Sequence, residues 1–347
     1  MLSVENRNRI KVIVKDKNKK SVFKIIKEIS HLYKVKKEIP YYYFKYLYKK
    51  DATNYLDYLG ASEMNLIRKS KRLHNPLYKL PLTNKLSFSQ MFSATEVRTP
   101  KLISHNLENS FYYNTIETKL NNEQDFFNFF INVFDECNIE DIFLRPHSDY
   151  GGKGCFKLTR DELKQNLTSI FNLLINTNYV HNICIKQHAA INEIHKKSIN
   201  TLRLISLIDS NENIKIVSAL MRFGVGDSVI DNASSGGFCI GINMQDGTLH
   251  KSGVYLQEYG GKTIYKHPTS GFKLEGFKIP FFKESCEEVI KGVRALPDGF
   301  IGWDVAITPV GPVIIEANDM PHLHMSDVTF GGLLRNKDIK KLIKELK

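Results

Sequence analysis

Gly302-Trp303-Asp304-Val305-Ala306-Ile307-Thr308-Pro309-Val310-Gly311-Pro312-Val313-Ile314-Ile315-Glu316-Ala317-Asn318 reads as two strands joined at Pro309–Pro312. On strand alternation, Asp304, Ala306 and Thr308 share one face of the first run, and Ile314, Glu316 and Asn318 share one face of the second. The hairpin then sets Asp304 and Glu316 side by side. Two opposed carboxylates repel each other, and an acid after Val-Ile-Ile is costly to bury. A bound Mg²⁺ relieves both problems, because it takes hard oxygen ligands and shares them with phosphate oxygens. The plainer alternative is an exposed hairpin with polar ends.

Upstream, Ile142-Phe143-Leu144-Arg145-Pro146-His147-Ser148-Asp149-Tyr150-Gly151-Gly152-Lys153-Gly154-Cys155-Phe156 predicts a strand, a small loop with three glycines and a return strand. Glycines without Cβ let backbone N–H groups approach phosphate oxygens, while Arg145 and Lys153 supply charge. The stretch is neither GxxxxGK[ST] nor GxGxxG after a strand, and a plain hairpin with a glycine-rich turn would read the same way. Further on, Arg203 and Arg222 fall on predicted strands otherwise made of Leu, Ile and Val. An arginine there needs an anionic partner. Phosphate or a substrate carboxylate would serve, and so would structural salt bridges to Asp209 or Asp231.

The chain has 347 residues, enough for two or three subdomains, with 42% hydrophobic and 25% charged residues, an ordinary globular balance. Its net charge of +12 is uneven: 21 Lys/Arg against 7 Asp/Glu fall within residues 1–90. A chain binding polyanions along its whole length would not divide this way, and no nucleic-acid motif is visible, so no nucleic-acid partner is expected. Five scattered cysteines without CxxC spacing read as reduced and structural, in a cytoplasmic protein without a zinc site. No apolar run is long enough to span a bilayer, and Met1–Arg7 lacks the apolar core of a signal peptide.

Residues 1–78 read as basic and mainly helical, with Val22 to Tyr33 at helical spacing. Tyr41 to Lys50 reads as a helix with aromatics on the core and lysines in water. The sharper reading of that stretch is a docking face for an anionic membrane surface or an acidic or lipid-linked saccharide, at the inner membrane face. Beyond it come a helix, a strand at Lys101–Ser104, and a helix around Phe126 to Phe134. Short glycine-punctuated strands then follow: Ile142–Arg145, Cys155–Leu158, Ile183–Gln187, Leu202–Ile208, Ile214–Phe223, Phe238–Ile242, Ile301–Thr308 and Val313–Glu316. Helices fill Arg160–Asn176 and Cys286–Ala295. The class is α+β with mainly antiparallel strands.

In this order, the Asn200-Thr201-Leu202-Arg203 run, the Asp231-Asn232…Gly236-Gly237 run and Gly302 to Asn318 resemble the ATP-grasp superfamily. Within it they are most similar to the sugar-transfer-associated group of bacterial surface-polysaccharide functions, over roughly residues 80–330. The resemblance implies an ATP-grasp fold, two α+β subdomains sandwiching ATP, behind the basic region 1–78. Residues 79–140 would form the preceding subdomain and 141–347 the ATP-grasp domain, divided into 141–188 and 189–347. Asp304, Glu316 and Asn318 match the ligands of one or two Mg²⁺ ions. Arg145 stands where the family usually has lysine before proline, and Ser148 to Gly154, including Gly151, Gly152 and Lys153, match the flap over the phosphates. Lys85 resembles a second phosphate-contacting lysine. Lys186, Gln187 and His188 match the adenine hinge, and Glu193 is the nearest acid for the ribose. Arg203, Arg222 and Asn232 would act at the reacting groups.

The activity implied is an ATP-dependent carboxylate–amine ligase working through an acyl phosphate. Its carboxylate would be a uronic acid of a capsule or O-antigen precursor, and its amine an amino acid or similar compound. Asp304→Asn would end turnover and leave the fold intact. The rival readings are a phosphotransferase acting on a sugar hydroxyl, a basic binding module, and a degenerate scaffold that binds saccharide.

Overall fold

The computed structural model describes residues 11–148 and 151–347. Its strands fall into two antiparallel sheets. The first joins β1 (Leu102–Leu107), β2 (Ser110–Tyr113), β3 (Ile116–Lys119), β4 (Asp141–Pro146), β5 (Phe156–Thr159) and β6 (Asn178–Ile183) in the order β3-β2-β1-β6-β4-β5. The second joins β7 (Thr201–Ile208), β8 (Ile214–Phe223), β9 (Phe238–Ile242), β10 (Leu249–Tyr255), β11 (Thr263–Ile264), β12 (Phe300–Thr308) and β13 (Gly311–Asn318) in the order β11-β10-β9-β8-β7-β12-β13.

Each sheet buries one face under a helix whose sequence has the matching period. Glu123–Cys137 starts at Asn122, whose side chain accepts from the Asp125 N–H, and stops at Asn138 in the left-handed region, φ 50°. Phe126, Phe130, Val133 and Phe134 recur at i, i+4, i+7 and i+8, so one stripe reaches the first sheet. Phe126 meets Phe111 of β2 edge to face at 5.6 Å between centroids. Burying such a ring stabilises by about 1.5–3 kcal/mol. On the second sheet, helix Phe282–Ala295 lies against β12 and β13. A Cβ on Gly292 would sit 2.9 Å from the Trp303 ring, so glycine is what lets that helix approach. The Trp303 indole N–H donates to Ser206 Oγ at 2.9 Å.

Several sequence expectations shift. The strand expected at Ile183–Gln187 runs instead over Asn178–Ile183, because Gln187 is drawn into a loop where its Oε1 accepts from the Asn200 N–H at 2.6 Å. The helix expected over Arg160–Asn176 breaks at Asn166 into Arg160–Gln165 and Leu167–Leu174. Asparagine competes for backbone partners and favours such ends. Strands β2, β3, β10 and β11 carry too few alternating apolar residues to be read in advance.

Residues 11–78 pack on the second sheet. Helix Val22–Lys36 buries Leu32 in a cluster with Tyr43, Tyr48, Val254 and Val328. Inside that cluster, the Lys20 ammonium reaches Glu28 at 2.6 Å and the carbonyls of Leu47 and Ala52 at 2.7 and 2.6 Å, while the Tyr43 hydroxyl donates to Glu28 at 2.6 Å. The stretch expected to be a helix at 41–50 is one 3₁₀ turn, Tyr41–Lys45. Its lysines do not all face water, since Lys49 is buried and donates to the Gly261 carbonyl.

Asp327 ties the same region to the chain's end. Its carboxylate accepts from the Leu59 N–H at 3.0 Å and the Leu333 N–H at 2.7 Å. Burial raises its pKa to about 7, although both N–H groups pull the other way. The folded state therefore holds this proton more tightly than the unfolded chain does. Its contribution is fully present below the ordinary carboxylate range and is lost as pH rises through about 7. Thermal unfolding followed from pH 4 to 7 should show wild type losing stability with pH more steeply than Asp327→Asn. Equal slopes would refute this.

Candidate active site

Residues of β4, β5 and β6 on one side and β7, β8, β12 and β13 on the other line a cleft of about 1530 Å³. At its floor, Asp304 of β12 is the register partner of Glu316 of β13, and Gly302 is the partner of Asn318. Between Val305↔Ile314 and Asp304↔Glu316, β13 carries one extra residue, Ile315, and this register shift is what brings Glu316 opposite Asp304. Asp304 is buried beneath two guanidinium groups. Arg203 Nε donates to Oδ1 and its Nη2 to Oδ2 at 3.1 Å, while Arg222 Nη2 lies 2.8 Å from Oδ2. Burial would raise the Asp304 pKa, but Arg203 and Arg222 outweigh it and hold the carboxyl below its usual range. Burial likewise works against the charge on Arg222, yet Asp231 and Asp304 keep its pKa above the ordinary arginine value.

The two arginines come from neighbouring strands. Arg203 of β7 is the register partner both of Asp304 on β12 and of Leu220 on β8. Arg222 reaches Thr201 Oγ1 at 2.6 Å, and Thr201 in turn donates N–H and hydroxyl to Asp231 Oδ2 at 2.8 and 2.5 Å. Thus Asp231, which the sequence offered, does pair with Arg222 at 3.5 Å, while Asp304, which it did not offer as a salt-bridge partner, pairs with both arginines. Asp209 pairs with Lys215 instead.

Glu316 is differently placed. Its side chain is 30% exposed to the cleft, with Lys85 Nζ at 3.9 Å and Asn318 Nδ2 at 3.5 Å. Lys85 begins helix Lys85–Ser93, and its N–H is fixed by the His147 carbonyl at 2.8 Å. Arg145 crosses the cleft: its Nε and Nη2 donate to Asn182 Oδ1 of β6 at 3.2 and 2.9 Å, and its Nη1 to the Ile315 carbonyl of β13 at 3.1 Å. A lysine could not make that fork. Asn182 was not singled out from sequence; a lone amide in Tyr179-Val180-His181-Asn182-Ile183 was its only signal.

Gly151 and Gly152 line the cleft with φ of 74° and 75°. A Cβ on Gly151 would lie 3.5 Å from Asn232 Nδ2, so the loop abuts the Asp231–Asn232 turn of the other sheet. Asn232 lines the cleft and caps the turn Ala233–Ser235 through Ser234. Ser148, Lys153 and Gly154 do not line it; the Gly154 carbonyl accepts from the Tyr179 hydroxyl. Asp149 and Tyr150 lie outside the described residues. Of the hinge residues, Lys186 and Gln187 line the cleft, but the Gln187 amide is spent on Asn192, His195 and Asn200. The His188 side chain caps helix Ala189–Ile194 and Glu193 is exposed, and neither is among the residues that line the cleft. The acids that do line that end are Asp141 and Glu162, which sequence reading missed.

The sequence matches the family described as sugar-transfer associated ATP-grasp over residues 67–342. The chain belongs to that family.

Among solved structures, this ATP-grasp protein is similar to the D-alanyl-alanine synthetase A of Vibrio cholerae, at 11% identity and TM-score 0.45, covering 78% of this chain and 66% of that one. It is also similar to the D-Ala:D-Ser ligase VanG of Enterococcus faecalis, at 13% identity and TM-score 0.42, covering 76% and 62%. A third is the N5-carboxyaminoimidazole synthetase of Staphylococcus aureus, at 9% and 0.40, covering 73% and 51%. The ATP-grasp chain thus spans about half to two thirds of their lengths. Among curated proteins nothing matches.

An ATP-grasp site implies Mg²⁺, and the donors here suit it: two carboxylates and an amide, hard oxygen groups on adjacent strands opening to the cleft. The qualification is that Asp304 already has partners. The repulsion inferred from sequence is relieved at Asp304 by Arg203 and Arg222, which leaves Glu316 as the less encumbered acid.

Proposed function

We propose that this ATP-grasp protein is an ATP-dependent ligase that joins a carboxylate to an amine. Its carboxylate is a sugar acid, a uronic acid of a surface-polysaccharide precursor, and its amine is an amino acid or similar compound. What carries the reading is the pairing of Asp304 with Glu316 across β12–β13, facing a cleft whose lining includes the cationic side chains of Lys85, Arg145, Arg203 and Arg222. Asp304, Glu316 and Asn318 would hold Mg²⁺, which, when bound, offsets phosphate charge.

Lys85 and Arg145 then bind phosphate oxygens, and Arg203 and Arg222 orient Asp304. The γ-phosphoryl passes to the substrate carboxylate, and the amine displaces phosphate from the acyl phosphate to give an amide. The carboxylate itself is the nucleophile, so no enzyme nucleophile is required. The Gly151–Gly152 loop, packed beside Asn232, is suited to excluding water that would hydrolyse the acyl phosphate.

ADP release, measured over uronic acids crossed with amino acids, should require both partners. Release that needs the sugar but no amine would replace the ligase with the phosphotransferase. Nucleotide binding without release under any pairing would leave only a binding role.

A further inference from the structure

Helix Val22–Lys36 has two apolar faces, and only one is covered. Ile25, Ile29 and Leu32 turn inward onto Tyr43, Tyr48 and Val254. On the other side Val22, Phe23, Ile26 and Tyr33 are 70, 81, 60 and 57% exposed. At 100° per residue these four fall within about 100° of arc, a continuous stripe rather than scattered apolar residues. Lys27 and Lys34, seven residues apart, run along its edge, with Lys24 and Lys37 near its two ends, and all four are exposed.

The acids of this segment are withdrawn from the surface it presents. Glu28 is buried against Lys20 and Tyr43, and the Glu38 carboxylate accepts from the N–H groups of Ala61 and Ser62 at 2.7 Å each. An exposed apolar stripe bordered by lysines, with Glu28 and Glu38 both turned to other partners, has the make-up of a helix that lies in an anionic lipid interface. The Tyr41–Lys50 stretch, by contrast, spends Tyr43, Tyr48 and Lys49 on the interior.

We propose that the Val22–Lys36 helix docks this protein on an anionic bilayer surface, with Phe23 and Ile26 entering the headgroup region and Lys27 and Lys34 meeting lipid phosphates. Lys45 lines the cleft, only nine residues beyond this helix. The docked face therefore leads directly into the segment that walls the site, which suits a substrate carried on a lipid. The inference does not depend on the reaction catalysed.

The test is co-sedimentation of the full chain with phosphatidylcholine vesicles containing about one third phosphatidylglycerol, against phosphatidylcholine alone. Wild type should bind the anionic vesicles, and binding should fall steeply between about 0.05 and 0.5 M salt. A lysine at such a surface strengthens binding about fivefold, so Lys27→Glu with Lys34→Glu should weaken it at least about 25-fold. Phe23→Ser with Ile26→Ser should weaken it comparably at unchanged melting temperature, since both side chains lie outside the core. The two double variants are independent, so a folding defect in one leaves the other decisive. Failure of wild type to bind anionic vesicles at low salt would overturn the proposal. So would wild-type binding by Phe23→Ser/Ile26→Ser, or a self-association that this variant abolishes in place of vesicle binding, which would assign the stripe to a second copy of the chain.

Discussion

Glu316→Gln should cut ATP turnover by about 10³-fold or more while leaving stability within about 1 kcal/mol of wild type. Its carboxylate faces the cleft, and its nearest cation, Lys85, is 3.9 Å away, so little of the fold depends on its charge. Asp304→Asn should behave differently. It removes a buried charge from beneath Arg203 and Arg222, and breaking such a cluster from one side costs about 3–5 kcal/mol. The sequence alone suggested that Asp304→Asn would be silent in the fold, and the two guanidinium partners revise that. ADP release and urea unfolding, measured on both variants, separate the cases. Retained turnover in Glu316→Gln would remove the hairpin acids from the chemistry altogether.

The second large effect concerns the N-terminal segment. Lys20→Ala should destabilise the chain by about 3–5 kcal/mol, because it strands Glu28 as an uncompensated buried charge and leaves the carbonyls of Leu47 and Ala52 without their donor. Limited proteolysis should then cut within residues 11–58 at a rate well above wild type, before the sheets unfold. Lys20→Ala paired with Glu28→Gln should recover part of the loss, since the stranded charge is gone. Unchanged cleavage in the single variant would show that this ion pair does not hold the segment down.

Part of the site was legible because the acids and the amide fall on a hairpin that the sequence shows. Strict alternation from the turn would set Ile315 opposite Asp304, and an extra residue on β13 brings Glu316 there instead, which alternation alone does not foretell. Family motifs likewise marked Arg203, Arg222 and Asn232, and all three line one cleft. The hinge was less legible: its strand ends at Ile183, the polar residues beyond look as much like strand as like turn, and His188 and Glu193 stand outside the residues that line the cleft. Lys49 was read as solvated because nothing local to Tyr46-Leu47-Tyr48-Lys49 tells of a carbonyl 212 residues away at Gly261. Partners so distant in sequence leave no trace in a local pattern.

The fork of Arg145 has a mechanical consequence. Two of its nitrogens belong to the first sheet, through Asn182, and the third belongs to the second, through the Ile315 carbonyl. Pulling the two sheets apart there must break that last link, so one guanidinium fastens the two walls of the cleft to each other.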